Sequence, residues 1–122
     1  MNLVEIRVIK VEVPPWIEEL KEFCIDVLCD LGKGNWSISV VLCDNDFISD
    51  LNDKYRQKDV PTDVLSFPQD DSMPITTHVT AGDIVVSLDY MKKNAESFGS
   101  TEGDEMKRLL VHGILHLNGM DH

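Results

Sequence analysis

The stretch Ala81-Gly82-Asp83-Ile84-Val85-Val86-Ser87 passes from a strand pattern directly into a helical one. Its apolar, partly β-branched run is typical of a buried strand. Ser87 can cap a following helix that reaches Phe98, and Gly99 can close that helix. We therefore expect a strand that is joined to a helix without a linker.

Three further strands are predicted on the N-terminal side of this stretch. Residues 2–13 alternate between apolar and polar, residues 36–43 form an apolar run, and residues 63–67 form a shorter one. The polar residues 68–80, which include Pro74, predict a loop between the third and fourth strands.

Two helices are predicted between these strands, from apolar residues at helical spacing. Pro14-Pro15 opens the first, which ends at Gly32. Asp44 or Asn45 can cap the second, a short helix that reaches Tyr55.

The last helix opens at Ser100 or Thr101, with acidic residues in its first turn. Its buried side is predicted to comprise Met106, Leu109, Leu110, Ile114 and Leu117. The order of the elements predicts an α+β fold, a mostly four-stranded mixed sheet packed with three to four helices. We expect a single domain over residues 1–122.

Composition and charge limit the possible functions. The formal net charge is −11, which argues against a general nucleic-acid binder because phosphate contacts require clustered Lys and Arg. Lys54, Arg56 and Lys58 form the best local basic cluster. No apolar run approaches the length of a membrane span, and the N-terminus lacks a signal-peptide pattern, so we expect a cytoplasmic protein.

The three cysteines, Cys24, Cys29 and Cys43, are odd in number and include no CxxC pair. We expect them to be buried as small apolar residues, in preference to a metal or redox role.

A metal-ligand pattern lies in the last eleven residues, which hold His112, His116 and His122. The i, i+4 spacing puts the first two on one face of a helix. Gly119 can end that helix and turn the chain, so that His122 returns beside them. Three nitrogen ligands with an open fourth position are typical of a catalytic zinc, so we predict one zinc ion per chain on the last helix and the following turn. His78 stands alone in a polar stretch and is assigned no role.

The histidine spacing is that of the zinc-peptidase motif HExxHxxGxxH, with Gly113 in place of the glutamate. In the peptidases that glutamate is the general base that acts on the metal-bound water. Gly113 leaves the histidine set in place but removes the base, so the pattern disfavours a peptidase.

RNA cleavage is compatible with such a site, because the ribose 2′-hydroxyl is a built-in nucleophile; direct attack by a metal-bound hydroxide is the alternative route. Both routes develop negative charge on phosphate oxygens, which a metal ion and an arginine can stabilise. Arg56, at the end of the second predicted helix, is the candidate arginine. A solvated surface charge is the other interpretation of Arg56.

Three sequence blocks carry a family resemblance. They are Leu51-Asn52-x-x-Tyr55-Arg56-x-x-Asp59-x-Pro61-Thr62-Asp63-Val64-Leu65-Ser66-Phe67-Pro68, Gly82-Asp83-Ile84, and His112-Gly113-x-Leu115-His116-Leu117-x-Gly119-x-Asp121-His122. In this order they resemble the YbeY family, bacterial endoribonucleases that are also described as rRNA maturation factors. The resemblance covers roughly residues 36–122. Members usually continue past the third histidine, whereas the present sequence ends at His122.

The resemblance implies a metal-dependent endoribonuclease that prefers single-stranded RNA. It implies action in small-subunit rRNA maturation and ribosome quality control, with the ribosome and its small-subunit proteins as partners. It also implies zinc on His112, His116 and His122 and a functional arginine at Arg56, in a cleft between the sheet and the last helix.

Further polar residues of these blocks have two interpretations each. Asp121 either accepts a hydrogen bond from a ligand imidazole or caps the turn. Asp63 and Ser66 are expected to lie near the cleft. Asp63 could equally cap a turn. Lys54 and Lys58 either contact RNA phosphates or are solvated.

A different class of protein also fits the same residues. A ribosome-assembly factor would bind RNA or ribosomal proteins and use the metal only to hold its C-terminal turn. The open fourth ligand position favours the enzyme, because neither a cysteine nor a fourth histidine stands nearby to close the site.

Overall fold

A computed structural model describes residues 2–56, 64–68 and 79–118 of the chain. In chain order the elements are β1 (Leu3–Val8), α1 (Ile17–Asp30), β2 (Trp36–Cys43), α2 (Asn45–Arg56), β3 (Val64–Pro68), β4 (Val79–Ser87), α3 (Leu88–Phe98) and α4 (Glu102–Leu117). The predicted α+β fold is confirmed, with four strands and four helices in these ranges.

The strands form one mixed sheet in the order β1-β2-β4-β3. β1 and β2 pair in parallel, as do β2 and β4, whereas β3 runs antiparallel to β4 at the edge. Ile84 of β4 has Val40 of β2 as its neighbour on one side and Ser66 of β3 on the other. The sheet is therefore centred on β2 and β4, and β3 is an edge strand.

One face of the sheet is covered by α1, α3 and α4. Side chains such as Leu28 of α1, Met91 of α3 and Leu110 of α4 are fully buried against Val40 and Ile84. Each large apolar side chain so buried contributes roughly 1.5–3 kcal/mol to stability. Because successive strand residues point to opposite faces, this face takes the even-numbered positions of β2 and β4.

The opposite face is packed by α2. Ile48 of α2 is fully buried beside Cys43, Leu65 and Val85, which are odd-numbered strand residues. Among the described elements, α2 thus lies on the other side of the sheet from α4.

The predicted ends are confirmed for α3 and for the start of α4. The first helix differs, because α1 begins at Ile17, after Pro14-Pro15, and ends at Asp30. The Ser87 hydroxyl accepts a hydrogen bond from the Tyr90 N–H at 3.2 Å, and Gly99 closes α3 in the left-handed conformation with φ of 66°. Thr101 caps α4 by accepting from the Asp104 N–H at 3.1 Å. Ser87 is thus both the last residue of β4 and the N-cap of α3, so the two elements are joined without a linker.

Several strand boundaries differ from the prediction. β1 stops at Val8, five residues before the predicted end, because Lys10 turns the chain with φ of 62°. β4 begins earlier, at Val79, since it pairs with β2 from Trp36 onward. Pro68 belongs to β3, whereas residues 69–78 of the predicted loop lie outside the described residues.

The cysteine prediction is correct for two residues and wrong for one. Cys24 and Cys43 are buried, and burial raises the pKa of each thiol to about 12. Cys29 is exposed, because it stands about 100° around α1 from the buried Leu28. Within the described ranges, none of the helices is both long and apolar enough to cross a membrane.

Candidate metal centre

His112 and His116 lie one turn apart on α4. His112 is exposed and His116 is half-buried, whereas Leu109, Leu110 and Ile114 of the same helix are buried. Four residues advance a helix by one turn plus about 40°, so the two imidazoles leave the same flank. The structure thus places both histidines on the last helix, as the spacing predicts, whereas their role as metal ligands stays a prediction.

Gly113 lies at the centre of the buried side of α4. A Cβ atom built at Gly113 would lie 2.9 Å from Cγ2 of Ile84 and 3.3 Å from its Cγ1 and Cδ1. The helix can approach β4 so closely only because this position has no side chain. The position that carries the glutamate base in zinc peptidases therefore faces the sheet, and a glutamate would have no room there.

Ser66 connects the edge strand to the histidine segment. Its side chain is buried, and its hydroxyl donates a hydrogen bond to the Gly113 carbonyl over 3.3 Å. That carbonyl belongs to the turn between His112 and His116. Ser66 is thus placed behind the histidine pair, on the sheet side of α4.

The end of α4 is compatible with the predicted turn. The helix ends at Leu117, and the Asn118 N–H donates to the Ile114 and Leu115 carbonyls at 3.0 and 3.1 Å. The chain thus leaves the helix two residues after His116, as a returning third ligand requires. His122 and Asp121 themselves lie outside the described residues.

The donor set fits zinc as far as it is described. Two solvent-accessible imidazoles at i, i+4 are suitable zinc ligands. Considering only residues 2–56, 64–68 and 79–118, three or more His, Cys, Asp or Glu side chains do not come together as a metal cage. The zinc site, with its third ligand at His122, stays a prediction.

Arg56 is the last residue of α2, and the structure describes only its main chain. Because α2 and α4 lie on opposite faces of the sheet, the described ranges do not bring Arg56 and the histidines together. Lys54 is exposed on α2, and Lys58 and Asp63 lie outside the described residues. Of the predicted site residues, Ser66 is the one that the described side chains bring to the histidine segment.

An ion pair on α4 between a buried carboxylate and a half-exposed arginine was not predicted from the sequence. The Glu105 side chain is only 2% exposed, and Arg108 donates to its two carboxylate oxygens at 2.9 and 2.6 Å. These hydrogen bonds hold the pKa of Glu105 below its ordinary value, against the opposing effect of burial. Arg108 also lies over the Phe98 ring, so the pair fastens α4 to α3.

A groove of about 560 Å³ on the α2 face was also missed. It lies on the opposite side of the sheet from the histidine pair, and its lining consists of Arg7, Ser39, Val41, Phe47, Leu51, Asp83 and Val85. The groove could have been anticipated from the polar residues at odd-numbered strand positions. One of them, Asp83, belongs to the motif Gly82-Asp83-Ile84.

Fold and site define a class of α+β proteins. Their last helix carries a His-x-x-x-His pair and packs a glycine on the sheet at the position where zinc peptidases have their base. The family model described as Endoribonuclease YbeY matches residues 5–122, and the chain belongs to the YbeY family.

Relatives support this assignment over most of the chain. The chain is 53% identical over 106 residues to an Endoribonuclease YbeY of Treponema denticola, covering 84% of the chain and 68% of that protein. It is 45% identical over 112 residues to that of Treponema pallidum, covering 89% and 70%. The solution structure of TM1509 from Thermotoga maritima matches with a TM-score of 0.68 and 32% identity, covering 98% of this chain and 75% of that one.

Proposed function

We propose that this chain is a metal-dependent endoribonuclease that cleaves single-stranded RNA. The observation that carries the proposal is the histidine pair of α4, which leaves the exposed flank of a helix whose Gly113 is pressed on Ile84. The relatives named Endoribonuclease YbeY support RNA as the substrate. A buried glycine at the peptidase base position argues against peptide hydrolysis.

Zinc is the proposed cofactor, one ion per chain, held by His112, His116 and His122. When bound, it would supply a Lewis acid that stabilises negative charge on a phosphate oxygen. The contribution of the chain is to present neutral imidazole nitrogens from a rigid helix. Asp121 is proposed to accept a hydrogen bond from a ligand imidazole and so to fix its tautomer.

Arg56 is proposed to bind the scissile phosphate. The planar guanidinium can form two parallel hydrogen bonds to a phosphate, and it is charged at neutral pH. With a net charge of −11, the chain as a whole repels RNA, so local cations must provide the attraction. Lys54 and Lys58 are the nearest candidates in sequence, and Lys54 is exposed on α2. Asp63 is proposed to line the cleft between the sheet and the last helix.

The biological role that we propose is maturation of small-subunit rRNA, with ribosome quality control as a second task. The ribosome and its small-subunit proteins would be the partners, in the cytoplasm. This part of the proposal is supported by the family resemblance and by the relatives' name, which states endoribonuclease activity.

Cleavage of a single-stranded RNA oligonucleotide tests the enzymatic proposal. Wild type with zinc should cleave, and a chelator, His112→Ala and Arg56→Ala should each lower the rate by about 10²–10³-fold. Lys92→Ala, which removes an exposed lysine of α3, is the control and should cleave normally. RNA binding is measured in parallel.

The outcome separates the enzyme from an assembly factor. Wild type that binds RNA but cleaves it no faster than His112→Ala and Arg56→Ala would overturn the enzymatic proposal and favour a binding protein with a structural metal. Cleavage of casein in spite of Gly113 would contradict the exclusion of a peptidase.

A further inference from the structure

We infer that Ser66 is a positioning residue, which together with Ile84 seats the histidine segment of α4 on the sheet. This inference rests on the zinc site of the proposed function and assigns a part of its support. Three residues carry it, one each from β3, β4 and α4.

Ser66 and Ile84, the two residues that support Gly113, form a cross-strand pair. Ser66 of β3 and Ile84 of β4 are register partners in the antiparallel ladder. Directly opposed side chains on one face of such a ladder have Cβ atoms about 4.5–5.5 Å apart. Both residues point towards α4, because Ile84 packs in the core beneath that helix and Ser66 is bonded to it. The pair therefore presents one apolar and one polar surface to the helix.

Gly113 is the residue that rests on both. Its α-carbon approaches Ile84 so closely that a Cβ would overlap Cγ2 of that side chain, while its carbonyl oxygen accepts the Ser66 hydroxyl at 3.3 Å. The first contact sets the height of the helix above β4. The second sets its position along β3. Together they fix the turn that runs from His112 to His116.

The presence of a polar serine at the buried position 66 is explained by its hydrogen bond to α4. Position 66 is 5% exposed and faces the helix layer, where an apolar side chain would be the ordinary choice. A buried hydroxyl costs free energy unless it is hydrogen-bonded, and the Gly113 carbonyl supplies that bond. The bond reaches the main chain between the two histidines, so its loss would let that turn shift. Loss of a side chain that hydrogen-bonds directly to a metal ligand commonly lowers metal affinity by about 10–100-fold. Ser66 acts one bond further away, through the Gly113 carbonyl, so we expect an effect at the lower end of that range.

Zinc affinity of Ser66 variants, measured by competition with a chelating dye, tests the inference without reference to RNA cleavage. Ser66→Ala is expected to weaken zinc binding by about tenfold, and Ser66→Thr, which keeps the hydroxyl, by less than about threefold. The visible spectrum of the cobalt-substituted protein should change in Ser66→Ala and stay close to wild type in Ser66→Thr, because it reports ligand geometry.

Ser87→Ala is the matched control. Ser87 is also a buried serine of the sheet, but its hydroxyl donates to the Asn45 side chain of α2 and accepts from the Tyr90 N–H, which caps α3. Ser87→Ala should lower the melting temperature, as we also expect of Ser66→Ala, but it should leave zinc affinity and the cobalt spectrum unchanged. This control separates general destabilisation from a shift of the histidine segment.

The possible failures are distinguishable. If wild type binds no zinc, the proposed metal site fails and the role of Ser66 falls with it. If wild type binds zinc and Ser66→Ala binds it equally well with the same cobalt spectrum, the positioning role is wrong while the metal site stands. The positioning role is also wrong if Ser87→Ala weakens zinc binding as much as Ser66→Ala.

Discussion

Gly113 of α4 lies against Ile84 of β4 at a distance that leaves no room for a Cβ atom, which would stand 2.9 Å from Cγ2. Ile84 is fully buried, and its β-branched side chain has little rotamer freedom with which to give way. The glycine of the histidine motif is therefore a packing residue. Its presence explains in steric terms why a glutamate base does not occupy this position.

The first prediction concerns the size of the side chain at position 113. Gly113→Ala should lower the free energy of unfolding by about 1–2 kcal/mol, because the overpacking cost exceeds the gain in helix propensity. Urea unfolding followed by circular dichroism measures the change. Gly113→Glu should be more destabilising and should show no peptidase activity.

Gly103→Ala is the control for helix propensity. Gly103 is in the same helix, and a Cβ there would meet no atom within 4 Å. This variant should be unchanged or more stable, by up to about 1 kcal/mol. If Gly113→Ala were as stable as Gly103→Ala, the close contact with Ile84 would not constrain the helix.

The second prediction concerns the pH dependence of stability. Arg108 lowers the pKa of Glu105, so folding favours the ionised carboxylate. The resulting stability is complete above the ordinary glutamate pKa of about 4.3 and is lost as the pH falls through the lower pKa of the folded state. Glu105→Gln should therefore be less stable than wild type at pH 7, by about 1–2 kcal/mol, since Arg108 is 53% exposed and partly screened by solvent.

Unfolding of both proteins at pH 7 and at about pH 3 checks this expectation, with the difference expected to shrink at the acidic pH. Glu5→Gln is the matched control, because Glu5 forms an exposed pair with Arg7. It should change stability by less than about 0.5 kcal/mol at pH 7. A constant loss in Glu105→Gln at both pH values would contradict the assigned role of the carboxylate charge.

The third prediction concerns metal removal. Zinc should stabilise the native protein, by about 2.7 kcal/mol when free zinc is 100 times the dissociation constant. Thermal unfolding with zinc and with a chelator measures the effect. His112→Ala and His116→Ala should abolish the zinc-dependent shift, whereas His78→Ala should retain it. A full shift in His112→Ala would place the metal elsewhere.

The fourth prediction concerns thiol reactivity. Cys29 is exposed, whereas the pKa values of the Cys24 and Cys43 thiols are raised to about 12 by burial. At pH 8 the native protein should show one fast-reacting thiol per chain with Ellman's reagent, and all three after denaturation. Cys29→Ser should remove the fast phase, and two fast thiols in wild type would contradict the burial of Cys24 or Cys43.

Local features of the fold were predictable from the sequence. The strand at β2, the capping of α3 by Ser87 and its closure by Gly99 follow from short-range chemistry, because each involves residues within a few positions. The end of β1 was not predictable in this way. The apolar and polar alternation continues beyond Val8, but Lys10 adopts a left-handed backbone conformation that turns the chain while β2 continues to Cys43.

The sequence by itself determined that His112 and His116 share one flank of a helix, since helical periodicity alone places them there. It also showed that the peptidase base is missing. Only the tertiary structure decided that Gly113 rests on Ser66 and Ile84 and that α2 lies on the other side of the sheet. Ser66 and Gly113 are 47 positions apart, and no local pattern encodes their contact. It arises because the edge strand pairs with β4 in a register that the packing of the whole core selects.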